Sequence, residues 1–377
     1  HIKDLVKDKA ITREQEREIR ELLRARFNFQ NTNNVVSLIK SVGYLATLGN
    51  INAVITQFGD LTYSIDNIGI LGTLKALFGK KEILMKDLGI DHPAEDFKDN
   101  TKLLDKIVQK VFKTIGFTGV DQLGKNTFIQ TTFMKYKKMI EQNEKKAFED
   151  ILRRYGEDFA KELIEDIKNN RLSENLYLFA HCELSRVQPI SLSEMPKEYL
   201  NNPKARIFYS LKTFWIKQFN RVIVDNKRLI EEGIKEGNKE KIKEGSLSMA
   251  RLIILFVILG SGTDMLKDLI YLRKIDLEDT VFDNFLKLFG ISRYTMYKAR
   301  EEGLGRMFVD TIFSVPIMQM IDSFGTEIQK VSKGKMELKD LRIASNIPIV
   351  GNPYYWWLGG GRLKEKKKNN KRKGSAH

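Results

Sequence analysis

The 377-residue sequence has a single cysteine, Cys182, which excludes an intrachain disulfide framework and fits a reducing compartment or a protein that never relies on oxidation. Histidine is scarce as well: His1, His92, His181 and His377 are the full set, and only His181 neighbours the cysteine. A transition-metal centre needs several His, Cys or carboxylate ligands at recognisable spacing, so no metal site is expected. Adjacent helical positions point about 100° apart, so His181 and Cys182 are expected as a half-buried helical pair, not as base and nucleophile.

Phosphate-binding loops are missing too. "GSGTDML" from Gly260 lacks the spacing and the lysine of a P-loop, and "GLGR" from Gly303 lacks the third glycine of a dinucleotide fingerprint. Both are read as helix ends, and no cofactor is expected. Acidic residues number 49, yet none sits in an aromatic or glycine-rich setting that signals a raised pKa. Glu174 in "SENLY" is read as the first turn of a serine-capped helix and not as a glycosidase acid. These absences argue against a catalytic role for this segment.

Proline is sparse and unevenly placed. All seven lie at or after Pro93, and only Pro93 precedes Pro189, so the first half allows long uninterrupted helices. Long apolar runs are also lacking. The longest, Leu252 to Thr263, spans twelve residues between Arg251 and Asp264, whereas a spanning helix needs about 20. It is expected as the central apolar helix of a bundle, with conditional membrane insertion as the sharper alternative. "GRMFVDTIFSVPIMQMI", which contains Asp310 and Pro316, would be its partner segment. The start at His1 is highly charged and has no signal-peptide core, and is expected to be a cut point within a longer polypeptide.

What is present is helical periodicity. "ITREQEREIRELLRARF" places Thr12 and Gln15 as a capping box and Glu16 with Arg20 as an i,i+4 pair. Val35, Leu38, Ile39, Val42, Leu45 and Leu48 follow a three-four step that ends at Gly49. Leu103, Leu104, Ile107, Val108, Val111, Phe112 and Ile115 repeat the form before Gly116. "FIQTTFMKYKKMIEQNEKKAFEDILRRYG" and "EDFAKELIEDIKNN" read alike, and no series of period-two segments joined by hairpin turns appears. The expected fold class is all-α, a multi-helix bundle with little or no β-sheet.

Pro189, Pro196 and Pro203 fall within fifteen residues and are read as a boundary. The expected organisation is an N-terminal helical module over 1–188, a second over 189–358 and a disordered basic tail over 359–377. The second module is expected to open with a long helix from about Ala205, followed by a polar hinge holding Gly233, Gly237 and Gly245. In that helix Phe208, Leu211, Trp215, Phe219 and Ile223 recur every four residues or so, with Lys212, Lys217, Arg221 and Lys227 elsewhere around it. Aromatics beside basic groups can stack single-stranded bases. A buried amphipathic stripe is the favoured reading.

Lysine and arginine outnumber acids 64 to 49, a formal charge of +15. Arg362, Lys364, Lys366, Lys367, Lys368, Lys371, Arg372 and Lys373, opposed by Glu365, put +7 of this in the tail and leave +8 for the body. Such a balance suits nucleic acid or anionic lipid. The tail residues are the candidate contacts to DNA or an anionic surface. Tyr354, Tyr355, Trp356 and Trp357 just before them are the candidate clasp for docking onto the body or a neighbouring subunit, with membrane-interface anchoring as the alternative.

Several long strings carry a resemblance. "QPISLSEMPKEYLNNPKARIFYSLKTFWIKQFNR", "SVGYLATLGNINAVITQFGDL", "FDNFLKLFGISRYTMYKAREEGLGR" and "SNIPIVGNPYYWWLGGG" together run from Ser41 to Gly361. They resemble the C-terminal region of very large tailed-bacteriophage internal virion or DNA-ejection proteins. The resemblance implies a non-catalytic structural piece, packaged inside the capsid or tail and delivered into the host cell or envelope with the genome. It further implies portal, tail or other ejection proteins as partners, a homo-oligomer in the particle, and contact with phage DNA or, through Leu252 to Thr263, with membrane. No catalytic residue carries over. Two other classes stay open: a module of a virion-packaged enzyme such as an RNA polymerase, nuclease or lytic transglycosylase, and a basic nucleic-acid-binding module.

Overall fold

The first helix begins where its side chains can satisfy its own free amides. In the computed structural model the Gln15 amide donates to Thr12 Oγ1 (3.1 Å) while the Thr12 amide donates to Gln15 Oε1 (2.8 Å), and Arg20 Nε donates to Glu16 Oε1 (2.9 Å). Helix α1 (Arg13–Phe27) therefore carries the expected capping box and surface pair. The structure describes residues 6–7, 9–27, 34–90, 102–188, 190, 213–271, 273, 275–288, 327, 329, 348 and 354–358. Among the described residues every regular element is helical, so the chain is an all-α bundle.

Helix α2 (Asn34–Leu48) stops at Gly49, whose amide donates to Leu45 O. Asn50 then caps α3 (Ile51–Gln57) through its Oδ1, and a 3-10 turn, Phe58–Asp60, leads into α4 (Leu61–Phe78). α4 is bent at Gly69, where φ is +76°, a value open to glycine and strained for residues with a Cβ. A second 3-10 turn, Met85–Leu88, follows. Helix α5 (Lys102–Thr114) is joined through Gly116 to α6 (Phe117–Tyr155), the longest element at 39 residues. α6 bends at Asn143, whose Oδ1 accepts the Lys146 amide at 3.0 Å and so caps the segment that follows. Helices α7 (Glu157–Lys168) and α8 (Glu174–Val187) come next, and Ser173 caps α8 as expected, accepting the Leu176 amide at 3.1 Å.

Beyond the proline-rich stretch, α9 (Thr213–Phe219) passes through a π turn, Asn220–Val224, into α10 (Asp225–Lys235). Asn238 caps α11 (Lys239–Ile270, 32 residues), and α12 (Leu277–Leu288) packs back against it. The expected helix start near Ala205, the aromatic stripe at Phe208, Leu211 and the Trp215 side chain, and the partner segment with Asp310 and Pro316 lie outside the described residues. Phe219 and Ile223 are partly buried, and Ile223 packs on the core.

The core gathers from both sides of Pro189. Tyr63, Phe128, Tyr136, Ile151, Leu163, Ile167, Phe179 and Leu184 share one cluster with Val222, Leu252, Phe256 and Leu288. A satellite cluster joins Tyr44, Ala53, Val108, Phe112 and Phe117. α11 holds a central place, packing against α3, α4, α10 and α12.

Four glycines overturn their sequence reading. Gly260 and Gly262 lie inside α11 rather than at a helix end, and Gly233 and Gly245 lie inside α10 and α11 rather than in a hinge. Only Gly237, with φ +64°, makes the turn. The reason is close approach: a Cβ at Gly245 would meet Ile230 Cγ1 at 2.8 Å and Asn226 O at 3.0 Å, one at Gly233 would meet the Ile242 amide at 2.9 Å, and one at Gly260 would meet Asn284 Oδ1 at 2.5 Å. Gly245→Val is therefore expected to lower stability by about 2 kcal/mol through overpacking of the α10/α11 contact. Gly262→Ala, which meets open space, is expected to raise it by up to about 1 kcal/mol through helix propensity. Urea unfolding of the two variants would separate packing from flexibility, since a hinge role predicts loss in neither.

Candidate functional site

The most concentrated chemistry is a charged network inside the bundle, where α6, α8 and α10 meet. Arg154 on α6 bonds Asp150 one turn back, the Tyr136 hydroxyl and Glu183 on α8. Its guanidinium also lies over the Tyr136 and Tyr155 rings, 5.8 and 5.5 Å from their centroids. Tyr136 Oη donates to Asp150 Oδ2 (2.5 Å) and Tyr155 Oη to Glu183 Oε1 (2.8 Å). Arg186 continues the chain from Glu183 (3.2 Å) to Asp225 (2.8 Å), and Arg221 closes on Asp225 at 3.7 Å.

Burial alone would raise the Asp150 and Glu183 carboxyls, but Arg154 overrides it, with the Tyr136 hydroxyl helping at Asp150 and Arg186 at Glu183, so both are held below the usual range. Burial, then the Arg221 charge, lowers the Lys135 amine. Charges of both signs alternate and each carboxylate has its cation. That is the pattern of a structural network.

A second cluster lies at the junction of α4, α6 and the end of α8. Lys125, only 2% exposed, donates to Asp121 Oδ2 at 2.7 Å, and Gln188 Nε2 donates to Asp60 Oδ2 at 3.1 Å. Burial first, then the Asp121 charge, pushes the Asp60 carboxyl well above the ordinary range against the pull of Lys125. Asp121 is likewise raised by burial, with Lys125 opposing. Raised carboxylates were not legible in the sequence, because their burial is made by helices that are far apart along the chain. Tyr63 Oη, Ser64 Oγ and Gln188 Oε1 are buried without a hydrogen-bond partner.

His181 and Cys182 are both half-buried on α8, as expected of a helical pair. Among the described residues no group of three or more His, Cys, Asp or Glu is placed to hold a metal ion. A shallow open cleft between α6 and α7, lined by Glu144, Phe148, Lys161, Ile164, Glu165 and Lys168, mixes both signs of charge.

Of the candidate clasp, Tyr354 is exposed and Tyr355 is buried. Trp356 stacks under Arg273 (4.8 Å) and beside Tyr271 (6.3 Å), at the end of α11. The Trp357 side chain and Arg362, Lys364, Lys366, Lys367, Lys368, Lys371, Arg372 and Lys373 lie outside the described residues.

The outer surface carries exposed apolar side chains on two helices. α11 is long and apolar enough to cross a membrane, and only a minor part of its most apolar stretch is buried. Leu252 and Phe256 face the core while Leu247, Ile254, Ile258, Leu266 and Leu269 are exposed. On α4, beyond Gly69, Ile70, Leu71, Leu74 and Phe78 are exposed as well. The signal for the latter was present in "GILGTLKALFGKK", an apolar helix of nine residues between a glycine and a basic pair, but composition alone does not say which face turns outward.

No family model matches the chain, and neither a curated protein nor a solved structure is similar to it.

Proposed function

We propose that this chain is the non-catalytic C-terminal part of a tailed-phage internal virion protein, packaged with the genome and delivered with it into the host envelope, where it helps form the conduit for DNA. The reading rests on the resemblance of the long strings from Ser41 to Gly361, and one observation carries it furthest. α11 buries one face in the bundle and leaves Leu247, Ile254, Ile258, Leu266 and Leu269 exposed. Exposed apolar side chains repeated along one helix mark a surface that another subunit or lipid covers when the protein works. Helices closed by local caps, without disulfides, also suit a protein that is unfolded, threaded through a narrow tail and refolded, because local contacts refold fast.

Cryo-electron microscopy of particles assembled with this chain, together with fractionation of freshly infected cells, tests the proposal. The expected result is density for the bundle inside the capsid or along the tail axis, and the chain in the envelope fraction after infection. Absence from the particle would overturn it.

A further inference from the structure

The strongest unused feature is the distal half of α4. Leu71 and Phe78 are 83% and 82% exposed, and Ile70 and Leu74 complete one outward stripe, while Thr73 and Ala76 of the same turns are buried. The stripe is held rigidly at both ends. Before the Gly69 bend, Asn67 Nδ2 donates to Thr132 Oγ1 on α6 at 3.1 Å; after the helix, the Glu82 amide donates to Gln130 Oε1 (3.0 Å) and the Met85 amide to Asn126 Oδ1 (2.7 Å). An apolar stripe pinned in this way cannot fold back to hide itself.

Charge decides its occupant. Lys75 flanks the stripe and Lys80 follows directly; Lys81 Nζ donates to Leu77 O at 3.0 Å and closes the helix, Lys86 lies further on, and of the acids Glu82 and Asp87 the second is engaged in accepting the Leu84 amide at 2.8 Å. Leu and Phe on one face with lysines at its rim form the pattern of a helix that lies in the plane of an anionic bilayer, its apolar side chains among the acyl tails and its ammonium groups at the phosphates. A second copy of this chain would bring the same lysines against one another, so like charge disfavours self-association through this face.

We propose that Ile70, Leu71, Leu74 and Phe78, with Lys75 and Lys80, form a docking element for an anionic lipid bilayer. The inference deepens the envelope-directed reading above, yet its test is separate from localisation in the particle. The full chain would be floated with phosphatidylcholine vesicles and with vesicles containing a quarter phosphatidylglycerol. Leu71→Ser/Phe78→Ser is expected to weaken binding to the anionic vesicles by at least about tenfold, and Lys75→Glu/Lys80→Glu by a similar factor. Thermal unfolding of the first variant should match the parent, since both side chains are solvent-exposed.

An environment-sensitive fluorophore on Phe78→Cys, in a Cys182→Ser background, should shift to the blue on adding the anionic vesicles and stay unchanged with phosphatidylcholine alone. Three outcomes would overturn the proposal. One is unchanged binding of both the serine and glutamate variants, which would leave the basic tail as the contact. Another is loss of binding in Ile254→Ser/Ile258→Ser alone, which would place lipid on α11 and leave the proposed function standing. The third is sedimentation showing a dimer that Leu71→Ser/Phe78→Ser dissociates, with no vesicle binding by the parent.

Discussion

Arg154→Met is expected to lower the unfolding free energy at pH 7 by about 3 kcal/mol, because removing the most buried cation of an ionic network leaves its carboxylates charged and under-compensated. Arg154 touches Asp150, Glu183 and the Tyr136 hydroxyl, and its side chain is 15% exposed against 10% for Glu183. In the variant Arg186 still reaches Glu183 at 3.2 Å and Arg153 still reaches Asp150 at 2.8 Å, but both are more exposed than Arg154 and compensate the carboxylates less. The triple variant Arg154→Met/Asp150→Asn/Glu183→Gln should recover much of the loss, since it removes the stranded charges along with their partner.

The pH dependence has a definite sign. Asp150 and Glu183 are held below their ordinary values in the fold, so the stability they contribute is present above the unfolded carboxylate pKa of about 4 and disappears as pH falls through the folded values. Urea titrations at pH 7 and pH 3 should show the parent losing part of this contribution in acid. In Arg154→Met the difference between the two pH values should shrink. Equal unfolding free energies for parent and variant at pH 7 would show that Arg154 does not hold the junction.

Lys125→Met is expected to cost about 3 kcal/mol or more at pH 8, for the same reason and with the opposite pH profile. Lys125 is the buried cation opposing the raised carboxyls of Asp121 and Asp60. A carboxyl whose folded pKa is raised favours the fold below its unfolded pKa, and that advantage is lost as pH rises through the folded value. Without Lys125 the loss deepens, so the variant should lie closest to the parent near pH 4 and fall away above it. Asp60→Asn should act in the other direction: a neutral amide in place of the carboxyl can still accept from Gln188 Nε2, and stability at pH 8 should rise. Melting temperatures at pH 5 and pH 8 for the two variants decide the matter. A destabilised Asp60→Asn at pH 8 would mean that the ionised carboxylate, and not the neutral form, is the one the fold favours.

These two junctions show where reading from sequence stops. Thr12, Asn50, Ser173 and Asn238 cap helices through amides two or three residues away, and such contacts are set by local spacing whatever the rest of the chain does. The three-four periodicity and the absence of alternating strands likewise determined the all-α class from the residues alone. Gly116 could be placed at a helix boundary for the same reason, since it ends the periodic run that closes at Ile115, and it adopts φ +81°.

The other glycines needed the tertiary structure. Gly233 and Gly245 have charged sequence neighbours like those of Gly237, and Gly260 sits in an apolar run, yet only their distance to Ile242, Ile230 and Asn284 reveals that they admit a close helix. Asp60 and Asp121 look like ordinary surface acids until α4, α6 and the end of α8 converge on them; the energy of a buried charge depends on what surrounds it in space, which sequence distance does not encode. The outward faces of α4 and α11 belong to the same class. Composition marked Leu252 to Thr263 as apolar, and periodicity made each segment helical. Which face of each helix meets the core was decided only by packing: Phe256 and Tyr63 meet edge to face at 5.2 Å and Arg251 reaches Asp66 at 2.6 Å, turning Ile254 and Ile258 outward.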